Sequence, residues 1–321
     1  MSKMSSKNAE LQTAKTEGSE YELTKLYGGK IVVKFFPKSH QYWISKDGGK
    51  SFKRKTGVTS YIGVLDKSKP LGIWQRGMTL DFLLDTIAAG VRIDEEKAIE
   101  AVIQHELFLE KSVDIGKEIH GWCEHYVRHQ LKQKGFEKMP AIPEFPEAIT
   151  GVNSFLAWVD EHKVKFISTE RVIYSMKYDY MGQLDFEAVI DGSHCLGDFK
   201  SSNGLYPTVR MQTAAYARAD MEEKGTNYDG RYALRLSKYS EAEYIKRETR
   251  KKEVSAAIAR FKGNDVSTYP IKPYNVFEAV FLDREDGFMD RDMKAFLHCK
   301  ALTEWNREAD PFLNRELNGS L

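Results

Sequence analysis

Between Tyr180 and Lys200 the chain reads Tyr-Met-Gly-Gln-Leu-Asp-Phe-Glu-Ala-Val-Ile, then Asp191-Gly192, then Ser-His-Cys-Leu-Gly-Asp-Phe-Lys. Asp-Gly is a favoured two-residue connection between antiparallel strands, because both positions tolerate the positive φ that a type I′ turn requires. A hairpin closed on this turn sets Asp185 opposite Asp198, Gln183 opposite Lys200 and Glu187 opposite Leu196. Leu184, Phe186, Ala188 and Ile190 then share a face with Phe199, Gly197, Cys195 and Ser193, and that face belongs against a core. The other face is acidic with a single lysine. Like charges placed directly across a sheet are unfavourable. A bound cation turns that cost into a function, so the segment predicts a metal site facing a phosphate.

The hairpin stands out against a background of weaker signals. An acidic residue two positions before a lysine also occurs at Glu95-Glu96-Lys97, Glu161-His162-Lys163, Glu222-Glu223-Lys224 and Asp292-Met293-Lys294, all in segments with helical patterning. Asp198-Phe199-Lys200 differs because it ends a strand, where residues two apart point the same way.

The rest of the chain predicts alternating strands and helices. Short strands are expected at Ile31–Phe36 and Gln41–Ser45, a short helix within Thr56–Asp66, and a helix from Pro70 through Ile87. Asp94 to Lys134 reads as mostly helical with a break near Asp114-Ile115-Gly116, and it carries an apolar stripe of Ile115, Ile119, Trp122, Cys123, Tyr126 and Val127. A helix over Glu147–His162, a strand over Val164–Tyr174, the hairpin, a helix over Thr208–Glu223 and a strand through Tyr232, Leu234 and Leu236 follow. The part beyond Lys251 reads as mainly helical. The order implies an α/β or α+β core with a mixed sheet. Its expected divisions are a disordered lead-in over 1–20, an N-terminal β segment over 21–55, a core over 56–240 and a helical C-terminal extension over 241–321.

Composition narrows the setting. With 48 basic and 47 acidic residues, bulk charge announces no nucleic-acid partner, so any such surface must come from local clusters. Candidates are Lys50, Lys53, Arg54 and Lys55, and further on Lys246, Arg247, Arg250, Lys251 and Lys252, each equally readable as a solvated charged segment. No run approaches the roughly 18 apolar residues of a membrane span. Met1 to Ser19 lacks an apolar stretch, so no secretory signal and no membrane partner are expected. Three scattered cysteines, Cys123, Cys195 and Cys299, are too few for a disulfide framework or a four-cysteine metal site, and a reducing cytoplasm is the natural setting.

Three further groups are ordinary taken singly. His120 flanks the apolar stripe with Glu124 four residues on, and Gln212 and Tyr216 are four apart on the helix after Lys200. Taken in order, however, His120, Gly182-Gln183-Leu184-Asp185, Asp198-Phe199-Lys200 and Gln212-Thr213-Ala214-Ala215-Tyr216 resemble the RecB-like branch of the PD-(D/E)xK nuclease superfamily. Its stand-alone exonucleases, including mitochondrial genome-maintenance and phage enzymes, share this order of motifs. The resemblance spans about Thr56 to Arg235 and leaves the first fifty residues and the C-terminal quarter unexplained.

The resemblance implies a restriction-endonuclease-like core and a divalent-metal-dependent deoxyribonuclease, an exonuclease acting in recombination or repair in a bacterial or phage-infected cell. Asp185 and Asp198 would ligate one or two Mg²⁺ or Mn²⁺ ions, with His120 and the Phe199 carbonyl completing the sphere. Lys200 would position or deprotonate the attacking water. Gln212 would hold a water or phosphate, and Tyr216 would pack beside the strand. Glu170 and Glu124 are weaker candidates, Glu170 because such enzymes often carry a carboxylate on the preceding strand. The resemblance gives Glu187 no role. Trp74 and Arg76 are candidates for the path of single- or double-stranded DNA ends, with a buried tryptophan and a solvated arginine as the plainer reading. Some relatives hold an iron–sulfur cluster on four cysteines, which this chain cannot supply. Near-neutral charge points to a loading partner, such as a single-strand annealing or other recombination protein, or to a ring-like assembly. Two alternatives remain open at this point: a DNA-binding recombination accessory protein without turnover, and an RNA nuclease of the same fold.

Overall fold

The computed structural model describes residues 20–264, 270–285 and 287–318. The expected lead-in lies outside the described residues, apart from Glu20. The described residues form a mixed α/β structure with two sheets. The first is antiparallel in the order β1 (Glu22–Leu26), β2 (Ile31–Phe36), β3 (Gln41–Ser45) and β4 (Lys53–Lys55). The second has five strands in sequence order: β5 (Lys165–Ser175), β6 (Tyr180–Ile190), β7 (Ser193–Lys200), β8 (Gly230–Leu236) and β9 (Phe277–Phe281). Pairing in it is antiparallel except between β7 and β8. That parallel step needs a crossover, supplied by α5 (Thr208–Lys224).

Over Phe186–Ile190 and Ser193–Gly197 the β6–β7 hairpin takes the expected register, with Glu187 opposite Leu196 and Ile190 opposite Ser193, but the ladder ends there, short of the expected Asp185–Asp198 and Gln183–Lys200 pairs. Asp191 and Gly192 both adopt positive φ, 50° and 89°, as the two-residue turn demands. The expected single apolar face is corrected in one respect. Phe186, Ala188, Ile190, Cys195 and Phe199 enter one core, whereas Leu184 enters the other. Strict alternation therefore fails between Leu184 and Phe186, at Asp185. Directly across from it, Glu170 of β5 has a left-handed φ of 48° and drops out of the ladder between Thr169 and Arg171. Such irregularities re-aim side chains.

Helices cover both faces of this sheet. On one side α3 (Glu95–Gln130) and α4 (Pro146–Glu161) pack Ile119, Cys123, Phe155 and Trp158 against Phe186 and Phe199. On the other, α5, α1 (Val58–Ile62) and α7 (Phe288–Asn318) enclose Leu184, Leu196, Tyr180 and Phe296. The first sheet joins through Phe35, Tyr42 and Ile44, which pack on Val172, Tyr174 and Met181.

Two expectations are revised. α3 runs unbroken through Asp114-Ile115-Gly116. Ile115, Ile119, Cys123 and Val127 hold one buried stripe, and packing of that kind outweighs the roughly 1 kcal/mol a helical glycine costs. What changes near residue 114 is the partner. Up to there only Ala101 of α3 is buried, and the helix pairs with α2 (Ser68–Ala88). The segment beyond residue 240 is likewise no separate extension. It holds α6 (Glu241–Phe261), adds β9 to the sheet and lays α7 along α5. Buried Arg231 of β8 fixes this segment, donating to Asp283 at 2.5 Å and 2.8 Å and to Asp292 at 2.7 Å. Among the described residues no helix is long and apolar enough to cross a membrane.

Candidate active site

β6, β7, α3 and α5 bring the sequence-predicted residues together. Asp198 is completely buried, and the Lys200 ammonium lies 2.6 Å from its Oδ2. Lys200 is the one group on Oδ2, and the Oδ1 of Asp198 accepts no hydrogen bond. A buried carboxylate left in that state is costly unless something else occupies its lone pairs. Lys200 in turn donates to Gln212 Oε1 at 3.1 Å, and Gln212 Nε2 donates to the Tyr216 hydroxyl at 3.0 Å. Tyr216 is itself buried with its ring against Gly182, where a Cβ would fall 2.6 Å from Cε1 of the ring. Tyr216 thus fixes Gln212 from beneath rather than presenting a face to a strand.

Asp185 is oriented by the backbone. The Phe199 N–H donates to its Oδ2 at 2.7 Å, while Thr169 Oγ1 donates to the Asp185 carbonyl at 2.7 Å. The Phe199 ring stacks on Phe186 at 4.5 Å and meets the His120 ring edge-on at 6.2 Å. His120 therefore approaches β7 from α3, on the side of the sheet opposite α5.

The electrostatics describe a crowd of negative charge around one ammonium. Burial, then Asp198, pushes the Asp185 carboxyl up to about 8. Burial, then Asp185, Glu124 and Asp198, raise Glu170 well above the usual range despite Arg128. Burial and the charge of Lys200 lower His120 to about 4, so its imidazole is neutral near pH 7 and keeps a free lone pair. Burial works against the charge of Lys200, but Asp198 and Asp185 outweigh it and raise its pKa. Lys200 is therefore a firmly protonated ammonium here.

The weaker candidates separate. Glu170 belongs with the set, opposite Asp185 and within its field. Its strand position gave only a faint signal, because the turned backbone that aims it depends on the sheet. Glu124 sits at the rim, where its Oε1 accepts from Arg128 Nε at 2.7 Å. Glu187 serves the fold: it pairs with Arg171 at 3.1 Å and His194 at 2.8 Å, while Arg171 also pairs with Asp220. Trp74 packs edge-on against His105 and Phe108 of α3, and Arg76 is exposed. One neighbour had no sequence signal. Tyr42 of β3 is buried close enough for Glu170 and Asp185 to help raise its pKa, and it lies in a segment outside the motif order. The three cysteines are buried free thiols on α3, β7 and α7.

In type, the side chains suit a hard divalent cation: carboxylates, a neutral imidazole, and a buried Oδ1 on Asp198 without a donor. Among the described residues no group of three or more His, Cys, Asp or Glu side chains is placed so that it could hold a metal ion in this arrangement. The carboxylates are held instead by Phe199 N–H and by Lys200. Compared with known proteins, the chain matches no family model and has no significant match to a curated sequence.

Proposed function

We propose that this protein is a divalent-metal-dependent nuclease that hydrolyses phosphodiester bonds of DNA, and that its five-stranded sheet with α3 and α5 is a restriction-endonuclease-like core. The observation carrying this reading is Asp198, a fully buried carboxylate with an ammonium 2.6 Å from Oδ2 and no hydrogen bond to Oδ1. The order of motifs read from the sequence supports it and favours an exonuclease working at DNA ends in recombination or repair.

Asp185 and Asp198, with His120, the Phe199 carbonyl and Glu170 at hand, would hold Mg²⁺ or Mn²⁺. Such an ion supplies charge neutralisation at a phosphoryl oxygen and a more acidic water. The side chains do the rest. Lys200, fixed between Asp198 and Gln212, places a positive charge where negative charge builds on the phosphate and orients the water by donating to it. As an ammonium it stabilises and positions and does not accept the proton. Gln212 and Tyr216 keep Lys200 in one rotamer, and Phe199 N–H keeps Asp185 in one rotamer. This preorganisation lets the site act without rearrangement during reaction.

The test is digestion of end-labelled and circular DNA, single- and double-stranded, with Mg²⁺, Mn²⁺ or EDTA. Metal-dependent loss of linear DNA, abolished in Asp198→Asn and Lys200→Ala, is expected; these variants should lose about 10²-fold or more in rate while still binding DNA. Undiminished cleavage by either folded variant, or cleavage in EDTA, overturns the assignment.

A further inference from the structure

Beyond the carboxylate site, a cleft of about 410 Å³ opens where the parallel strands β7 and β8 end. Its floor starts at Ser202 and Gly204, just past Lys200, and includes Arg235, which sits beside Lys200 in the β7–β8 ladder. Its walls are α6 and the segment around Tyr274. The cleft is therefore continuous with the catalytic strand.

Its charge is one-sided. Five cationic side chains line it against two carboxylates, Glu248 and Glu278. Both carboxylates are engaged already: Glu278 with Arg235 at 3.2 Å, and Glu248 with Lys251. Lys238, Arg247 and Lys272 are left over, with no carboxylate in ion-pairing range among the described residues. Lys238 is only 7% exposed, and its ammonium lies in the field of Glu147 without forming an ion pair with it. The basic run noted in the sequence divides here. Arg250 turns away to bind Asp81 and Asp85 of α2, whereas Arg247 and Lys251 face the cleft.

The walls are also aromatic. Arg247 lies over the Tyr239 ring at 4.4 Å, and Tyr244 and Tyr274 have ring centroids 5.6 Å apart. Cations outside any ion pair, interleaved with tyrosines, are the chemistry that grips a sugar–phosphate chain with unstacked bases.

We infer that this cleft binds a single-stranded DNA segment next to the scissile phosphate, its phosphates on Lys238, Arg247 and Lys272 and its bases against Tyr239, Tyr244 and Tyr274. The inference rests on the nuclease reading for what the neighbouring site does. The test keeps the two apart. Fluorescence anisotropy of a labelled oligo-dT of about 12 nucleotides, in EDTA over a salt series, measures binding without turnover. Hydrolysis of bis(p-nitrophenyl) phosphate, too short to reach the cleft, reports the metal site alone.

Arg247→Gln with Lys272→Gln should weaken oligo-dT binding and make the slope of log affinity against log salt shallower by about 1.4, for two lost phosphate contacts. Hydrolysis of the small diester should not change. Because Arg247 also stacks on Phe108 of α3, Lys272→Glu alone, at an exposed position, is the control should the double variant fail to fold; it should weaken binding too. Unchanged affinity and slope in either folded variant overturns the inference. So does equal binding of duplex of the same length, or full competition by dTMP at concentrations matched in nucleotide. If the wild type hydrolyses no diester yet shows this charge-dependent oligo-dT binding, the nuclease reading fails and the cleft assignment stands.

Discussion

The backbone N–H of Phe199 donates to Oδ2 of Asp185 at 2.7 Å, which ties the carboxylate of one strand to the backbone of the next, between Asp198 and Lys200. The bond sets the rotamer of Asp185 and lowers the cost of its charge. Burial and Asp198 still outweigh it and hold the carboxyl up to about 8. The structure thus keeps two carboxylates close at a net electrostatic cost.

That cost predicts a pH signature. A carboxyl whose pKa is raised on folding stabilises the fold while protonated, and this stability is lost as pH rises through the folded value. Asp185 and Glu170 both act in this sense. His120, lowered to about 4, acts oppositely, but its window closes at its ordinary 6.5. From pH 6.5 to about 8 the raised carboxyls dominate the site. In EDTA, Tm is expected to fall across that interval, and Mn²⁺ should cancel the fall. A flat profile in EDTA, or one that Mn²⁺ leaves sloping, contradicts a cation site at these carboxylates.

Glu170 faces Asp185 from a backbone turned to φ 48°. Glu170→Gln keeps the shape and removes one charge from the cluster. The divalent-ion concentration for half-maximal cleavage should rise about 10-fold or more, and Tm in EDTA should increase. An unchanged metal requirement would show that Glu170 stands outside the site.

Tyr216 and Gly182 test the support beneath Lys200. Tyr216→Phe removes the hydroxyl that Gln212 donates to, at a cost of about 1 kcal/mol, so kcat should fall up to about tenfold with KM unchanged. Gly182→Ala places a methyl 2.6 Å from the Tyr216 ring. It should destabilise the fold by about 1–3 kcal/mol, and thermal melting measures it. A KM change without a kcat change in Tyr216→Phe would instead indicate substrate contact.

Arg231 joins β8 to the C-terminal segment through Asp283 and Asp292. Arg231→Met leaves Asp283 without its cation and Asp292 with Arg210 alone. Urea unfolding should show a loss of about 3–5 kcal/mol. A loss below about 1 kcal/mol, within the range of an exposed pair, would mean the segment is held by packing alone.

How far the site is legible in the sequence depends on the range of the interactions. The hairpin register can be read directly, because a two-residue Asp-Gly turn and a period of two leave little freedom. Local sequence therefore sets the ladder from Phe186–Gly197 to the turn and delivers Asp185, Asp198 and Lys200 to its open end. His120, Gln212 and Tyr216 are legible only as an order of motifs, since a helix residue carries no mark of which strand it will face. The face change at Asp185 and the place of Tyr42 are not legible. Both arise from contacts between segments far apart in the chain.

The chain alone determined local geometry: where strands turn, which helix stripes are apolar, and which acidic residues stand beside a lysine. These follow from backbone sterics and side-chain periodicity, which act over a few residues. Only the tertiary structure decided that α3 passes unbroken beneath Phe199, that β9 and α7 complete the core, and that Glu170 turns toward Asp185. Burial and pairing across the sheet fixed those outcomes, and their energies depend on neighbours that no local stretch of sequence specifies.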